Sequence, residues 1–133
     1  MNGKPILVVD FDGTIHSYTS GWKSADVVSD PPVPGALRWL WQAMAHWDVN
    51  IYSSRSKAPE GIEAMEAWLR EHAKKEFGVN VAEMFMSRLT FPVQKPAAFL
   101  TIDDRTVCFQ GKWDELDPVE LLKFRPWNKR DGQ

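Results

Sequence analysis

Ile6-Leu7-Val8-Val9-Asp10-Phe11-Asp12-Gly13-Thr14 is the stretch on which the reading of the whole chain turns. Its first four residues are apolar and mostly β-branched, a run that suits a strand buried on both faces, as in a parallel sheet. The run stops at a carboxylate, and Gly13 marks a turn. Side chains of an extended chain alternate with period two, so Asp10 and Asp12 point the same way while Phe11 points into packing. Two carboxylates placed together can divide labour, one attacking an electrophile and the other handling protons. Gly13 lets the backbone approach a ligand closely, and Thr14 supplies a hydroxyl and an amide donor. The competing reading is an Asp- and Gly-rich turn without chemistry. Its place directly after a buried strand weighs against that.

Working outward, residues 16–34 are rich in Ser, Thr, Gly, Asp and Pro, with Tyr18 and Trp22 embedded, and read as a long loop or small flap. Pro34 suits the first turn of a helix whose apolar face is Leu37, Leu40, Trp41 and Met44. Val49 to Tyr52 is a second strand, followed by the polar turn Ser53-Ser54-Arg55-Ser56. A second helix runs from about Pro59 to Phe77 with the stripe Ile62, Met65, Leu69 and His72, and Gly78 is placed to end it. Arg88 to Phe91 reads as a short strand and Ala97 to Ile102 as a clearer one, ending in Asp103-Asp104. Val107 to Phe109 is a further short strand, and Pro118 to Phe124 a last short helix. Strands alternating with helices predict an α/β fold: a doubly wound, Rossmann-like parallel sheet with helices on both faces and a minimal flap instead of a cap domain. Ligands of such sheets bind beyond the carboxyl ends of the strands. Asp10-Asp12, Ser53-Arg55 and Asp103-Asp104 all fall there.

The chain has 133 residues, 44% hydrophobic and 26% charged, which favours one soluble globular domain over residues 1–133. Sixteen basic against eighteen acidic residues give a formal charge of −2, so no bulk basicity advertises nucleic-acid binding. Cys108 is the only cysteine, which excludes an intramolecular disulfide; between Val107 and Phe109 it reads as a small buried hydrophobe. His16, His46 and His72 match no zinc-ligand spacing. Ile6–Val9 is too short for a signal peptide's apolar region, and no stretch is apolar enough to span a bilayer, so a cytoplasmic, reduced protein without membrane or obligate protein partner is expected. The seven tryptophans read mostly as packing residues.

Asp10-Phe11-Asp12-Gly13-Thr14-Ile15 resembles the first motif of the haloacid dehalogenase-like superfamily of aspartate-nucleophile phosphatases. Ser53 after Val49-Asn50-Ile51-Tyr52, Lys95, and Ile102-Asp103-Asp104-Arg105 resemble the second, third and fourth motifs, in the family's order over residues 6–105. The resemblance implies an Mg²⁺-dependent phosphatase in which Asp10 attacks phosphorus and forms an aspartyl-phosphate. Asp12 would protonate the leaving oxygen and then activate water. Asp10, the backbone carbonyl of Asp12, and Asp103 or Asp104 would hold Mg²⁺, with Asp104 favoured over Asp103 as the direct ligand. Several neighbouring carboxylates repel one another strongly without a cation between them. Lys95 would offset negative charge, and the Ser53 hydroxyl, with Ser54 as its rival, would donate to a phosphoryl oxygen. Lys95 also reads as an ordinary surface lysine. Arg55 is either a second phosphate contact or an exposed turn arginine.

Asp12 argues against a true dehalogenase, since in that branch no leaving alkoxide needs a proton. Neither residues 14–34 nor residues 53–95 leave room for the large cap that the family's mutases use against water. A phosphorylatable receiver domain would place its acidic pair first and its acceptor Asp mid-chain, the reverse of the order here. The Asp-Asp-Arg-Thr-Val stretch at 103–107 is similar to the fourth motif of polynucleotide 3′-phosphatases, which points to a phosphorylated substrate at a nucleotide or nucleic-acid end. Within the flap, His16, Tyr18, Trp22 and Lys23 offer an aromatic surface for a base and a cation for a phosphate; the rival reading is that the aromatics pin a long loop to the domain.

Overall fold

A computed structural model describes residues 3–129. The elements are β1 (Ile6–Val9), α1 (Ala36–Ala43), β2 (Asp48–Ile51), α2 (Pro59–Phe77), α3 (Val79–Ser87), β3 (Leu100–Ile102) and α4 (Pro118–Leu121), with short 3₁₀ turns at Ser54–Lys57, Trp113–Glu115 and Trp127–Lys129. The architecture is mixed α/β around one parallel three-stranded sheet in the order β2-β1-β3. Parallel neighbours need crossover connections, and α1 and then α2 with α3 supply them.

β1 lies at the centre, which is why its residues Leu7, Val8 and Val9 are all buried and the run has no polar alternation. Its register is Val9 beside Ile51 on one side and Ile102 on the other. All three strands therefore end at the same level of the same edge. Asp10, Tyr52 and Asp103 are the first residues past it. The ladder extends just beyond the strands: the Asp10 amide donates to the Ile102 carbonyl at 2.9 Å and the Tyr52 amide to Val9 at 3.2 Å.

The core gathers Leu7, Val9 and Ile51 from the sheet with Leu37 and Leu40 of α1, Met65 and Leu69 of α2, and Phe85 of α3. Pro59 at the first helical position and Gly78 at the C-cap bound α2 at the expected residues. Trp68 is the buried aromatic of that helix, beside the expected stripe.

Several expectations change. α3 directly follows Gly78 where no helix was expected, and its Ala82, Phe85 and Met86 bury one face. Arg88–Phe91 reduces to a single parallel bridge between Asn50 and Thr90. β3 is shorter than Ala97–Ile102. Val107–Phe109 forms no strand and is exposed, and Cys108 with it, because no strand among the described residues stands beside that stretch to pair with it. α4 ends at Leu121 rather than Phe124. Trp22, Trp39, Trp113 and Trp127 are exposed, so packing accounts for fewer tryptophans than expected. No helix among the described residues is long and apolar enough to cross a membrane.

Candidate active site

The strand ends place the polar clusters around one opening. A cavity of about 310 Å³ is lined by Asp10, Asp12, Ser53, Ser54, Asp103 and Asp104 on its sheet side. Tyr18 and Trp22 of the flap, Arg105, and Pro126, Asn128 and Lys129 from the C-terminal part complete its walls. A smaller cavity of about 160 Å³ beside it is shared by Asp10, Ser53, Ser54 and Asp103 with Lys95. Residues far apart in the sequence thus meet where the parallel strands end.

Asp10, Asp103 and Asp104 each offer a carboxylate oxygen within 4.8 Å of the others. Burial first, then the charge of Asp103 and a hydrogen bond with Asp104, push the Asp10 carboxyl up to about 8. Asp104 is raised as well, chiefly by burial. Asp10 and Asp104 thus resist ionising beside one another, as like charges in a partly dry site must. All donors are hard oxygens with no imidazole or thiolate among them, the set that suits Mg²⁺ rather than zinc. The donor chemistry therefore fits the expected metal.

Gly13 is what allows this packing. Its φ is +81°, and a Cβ there would overlap the Asp104 carboxylate. Glycine removes both obstacles at once. Thr14 Oγ1 lies 3.5 Å from Asp10 Oδ2, at the outer limit of a hydrogen bond.

Asp12 faces the cavity but is tied from behind. Arg55 Nε donates to its Oδ2 at 2.9 Å and the Nη2 group to Oδ1 at 3.1 Å, a two-pronged pair. His16 Nδ1 lies 2.8 Å from Oδ1. The Asp30 amide donates to His16 Nε2 at 3.0 Å, so that nitrogen accepts and Nδ1 carries the proton given to Asp12. Burial alone would raise the Asp12 carboxyl, but the His16 and Arg55 hydrogen bonds and the Arg55 charge outweigh it and hold the group below its ordinary value. Oδ1 takes two of these bonds and Oδ2 only one, so Oδ2 keeps a lone pair for a proton.

Arg55 is neither an exposed turn arginine nor directed at a phosphate. It is 1% exposed, and its Nη1 group donates to the carbonyls of Ser24, Ala25 and Val27 at 3.0, 2.8 and 3.0 Å. The guanidinium also stacks 4.9 Å from the Trp22 ring centre. One side chain thereby ties the flap to the loop that carries Asp12. Gly61 at the start of α2 makes room for it, since a Cβ there would overlap the Arg55 carbonyl oxygen.

Ser53 caps the 3₁₀ turn: its hydroxyl accepts from the Arg55 amide at 3.0 Å while its own amide donates to Ser56 Oγ at 3.0 Å. Its hydroxyl proton stays free to donate into the cavities it lines. Ser54 is exposed and lines the same two cavities. Lys95 is exposed at the rim of the smaller one. Lys23 turns to Ser29 Oγ at 3.2 Å, and it is not among the residues that line either cavity.

The flap is fastened at more points than Arg55. A bridge joins His16 to Pro32, and Ser20 binds the Asp30 carboxylate through both its amide and its hydroxyl. Trp68 Nε1 donates to the Asp30 carbonyl at 2.9 Å. Tyr18 takes a φ of 62°, uncommon for an aromatic residue, and Trp22 is half exposed. The flap is both pinned and open to the cavity. Reasoning from the sequence missed the His16–Asp12–Arg55 chain and the C-terminal residues Trp127 and Asn128. Only the spacing of His16 four residues after Asp12, in a loop too tight to extend, carried a signal.

Comparison with protein-family models, curated proteins and solved structures finds no match.

Proposed function

We propose that this chain is an Mg²⁺-dependent phosphomonoester hydrolase working through an aspartyl-phosphate on Asp10, in a doubly wound α/β domain of the haloacid dehalogenase-like type. The observation that carries the reading is the convergence of Asp10, Asp103, Asp104 and the Ser53 hydroxyl on one opening at the strand ends, with Lys95 at its side. Asp10, the Asp12 carbonyl, Asp103 and Asp104 would hold Mg²⁺, which when bound supplies positive charge to the acids and to the phosphoryl oxygens. Both acids of the pair stay candidates, since each offers an oxygen to the cluster.

In the first half, an Asp10 oxygen forms a bond to phosphorus as the bond to the leaving oxygen breaks, and that oxygen takes a proton from Asp12. In the second half, water adds to phosphorus, its proton passes to Asp12, and the Asp10–phosphorus bond breaks to release inorganic phosphate. The ties from Arg55 and His16 favour ionised Asp12, the form needed as base. The negative charge of an arriving phosphate raises that carboxyl toward the form needed as acid. Ser53 donates to a phosphoryl oxygen, and Lys95 balances charge. A nucleotide or nucleic-acid end is the proposed substrate, and the cytoplasm the proposed setting, where an exposed Cys108 stays reduced.

The test is a panel of phosphomonoesters, with 3′-phosphorylated oligonucleotides included, assayed with Mg²⁺ and with EDTA. Acid quenching should trap label on the wild-type protein and none on Asp10→Asn. Turnover by Asp10→Asn within a few-fold of wild type, or full activity after chelation, refutes the reading. Transfer of the label to an added alcohol instead of water would identify a phosphotransferase.

A further inference from the structure

The walls of the larger cavity include residues from the far end of the chain, and two consecutive side chains there grip the nucleophile loop. Trp127 Nε1 donates to the Gly13 carbonyl at 2.7 Å, across 114 positions of sequence. Asn128 Nδ2 donates to the Ser17 carbonyl at 3.2 Å, across 111. Those carbonyls stand at the two ends of the loop that follows the paired acids. The loop closes on itself between them: the Gly13 amide donates to the His16 carbonyl at 2.8 Å, and the Ile15 and His16 amides to Phe11 at 2.9 and 3.0 Å. Pro126 is buried beneath, while Asn128 and Lys129 line the cavity.

We propose that Pro126–Lys129 is a built-in lid, latched to the nucleophile loop by Trp127 and Asn128, which closes the site to the size of a nucleoside monophosphate rather than a polymer end. Trp127 is a positioning residue. It acts through Gly13, whose backbone lies against Asp104 with no space for a side chain, so the indole N–H helps to hold the loop at the distance the acidic cluster needs. Asn128 and Lys129 supply the wall that faces the leaving group, across from Tyr18 and Trp22.

The size of the space between these walls points to the substrate class. About 310 Å³ lies at the lower end of small-molecule pockets, roughly 300–1,000 Å³. It is of the order needed for a phosphate and a single nucleoside. The half-exposed Trp22 indole offers a stacking face for a planar base. Arg105 and Lys129 bring positive charge to the cavity, and Asn128, whose amide nitrogen is engaged by Ser17, also has an amide oxygen that can accept a hydrogen bond. The substrate assignment rests on the hydrolase reading; the latch does not.

Two measurements on the full-length protein separate them. Amide hydrogen exchange of Gly13–His16 is followed in wild type, Trp127→Phe and Asn128→Ala. Trp127→Phe keeps a ring and removes only the donor, so it should fold, and a thermal melt checks this. Loss of one hydrogen bond should speed loop exchange by about two- to tenfold. Unchanged exchange in both variants overturns the latch, whatever reaction the site performs. Kinetics then compare a nucleoside monophosphate with an oligonucleotide phosphorylated at its end. Wild type should favour the mononucleotide in kcat/KM by about tenfold or more, and Lys129→Ala should raise its KM by about tenfold, the value of one charged hydrogen bond. Preference for the oligonucleotide, or an unchanged KM, overturns the lid. If no phosphoester is hydrolysed, the hydrolase reading fails. Calorimetric binding of the mononucleotide to wild type and Lys129→Ala then decides the lid alone, equal affinity overturning it.

Discussion

Arg55→Ala should be among the most destabilising single changes in this chain. The guanidinium is 1% exposed and donates to both oxygens of Asp12 and to three flap carbonyls. Removing it leaves the Asp12 carboxylate, only 13% exposed, with His16 as its remaining polar partner. Breaking a buried pair by deleting one member costs about 3–5 kcal/mol, because the other charge is left without compensation. The flap carbonyls that lose their donor add to this unless water reaches them. A domain of this size has a total stability of about 5–15 kcal/mol, so about a fifth or more of it goes. At roughly 3–5 °C per kcal/mol for this length, the melting temperature should fall by about 10–25 °C.

Thermal and urea melts measure the loss, and a double-mutant cycle with Asp12→Asn isolates the pair. Arg55→Lys should rescue little, since an ammonium cannot reproduce the planar two-pronged contact and the flap contacts together. The pH dependence provides an independent check. Asp12 is held below its ordinary 3.8 in the folded state, so its contribution is present above 3.8 and lost as the pH falls through the folded value. The gap between wild type and Arg55→Ala should therefore narrow below about pH 4. A melting temperature within about 3 °C of wild type at neutral pH would refute the clamp, since a buried pair cannot be deleted so cheaply.

Three further outcomes follow from the same geometry. Gly13→Ala should weaken Mg²⁺ binding by at least about tenfold and cost about 1–3 kcal/mol, because the new Cβ meets the Asp104 carboxylate in a backbone conformation that disfavours alanine; calorimetric Mg²⁺ titration with a melt decides it, and normal affinity would sink the account. In EDTA the wild type should lose stability as the pH rises from about 4 toward about 8, since folded Asp10 keeps a proton that the unfolded chain gives up at 3.8; Mg²⁺ or Asp10→Asn should flatten that slope, and a slope unchanged by both would refute the carboxylate crowding. Lys95→Ala should lower kcat by about a hundredfold or more while Lys23→Ala, whose amine turns to Ser29, should be nearly silent; equal small effects would return Lys95 to an ordinary surface role.

What the sequence made legible was whatever is written in consecutive residues. β1 and α2 lie at the expected residues because their signals are local: an unbroken apolar run stopped by Asp10, and a periodic stripe between Pro59 and Gly78. The meeting of Asp10 with Asp103 and Asp104 was also readable, since parallel strands must end on one edge once the alternation with helices is granted. Arg55 was not. Its partners lie 28 to 43 positions away, and a Ser-Ser-Arg-Ser turn looks the same whether its arginine is buried or in solvent. Trp127 was further out of reach, 114 positions from the carbonyl it holds. Val107–Phe109 failed for the opposite reason. Its composition suits a strand, but a strand needs a neighbour, and composition does not provide one.

Charge balance at the opening shows why the clamp and the acidic cluster belong together. Four carboxylates gather there, and Arg55 with His16 takes Asp12 out of the account before any ligand arrives. That leaves Asp10, Asp103 and Asp104 crowded at one point, and the upward shifts of Asp10 and Asp104 measure how poorly they tolerate it. If Arg55 faced the cavity instead, it could neutralise one of those acids and weaken the demand for a cation. By turning away, it leaves the three acids concentrated, which on the proposed reading would serve a divalent ion. It also keeps Asp12 ionised and aimed at the same space. Lys95, Arg105 and Lys129 line the two cavities, where on the proposed reading their positive charge would meet a phosphate. On the proposed reading, this division of the cations, one buried behind Asp12 and the others along the cavity walls, would let one small site attract both a metal ion and an anion.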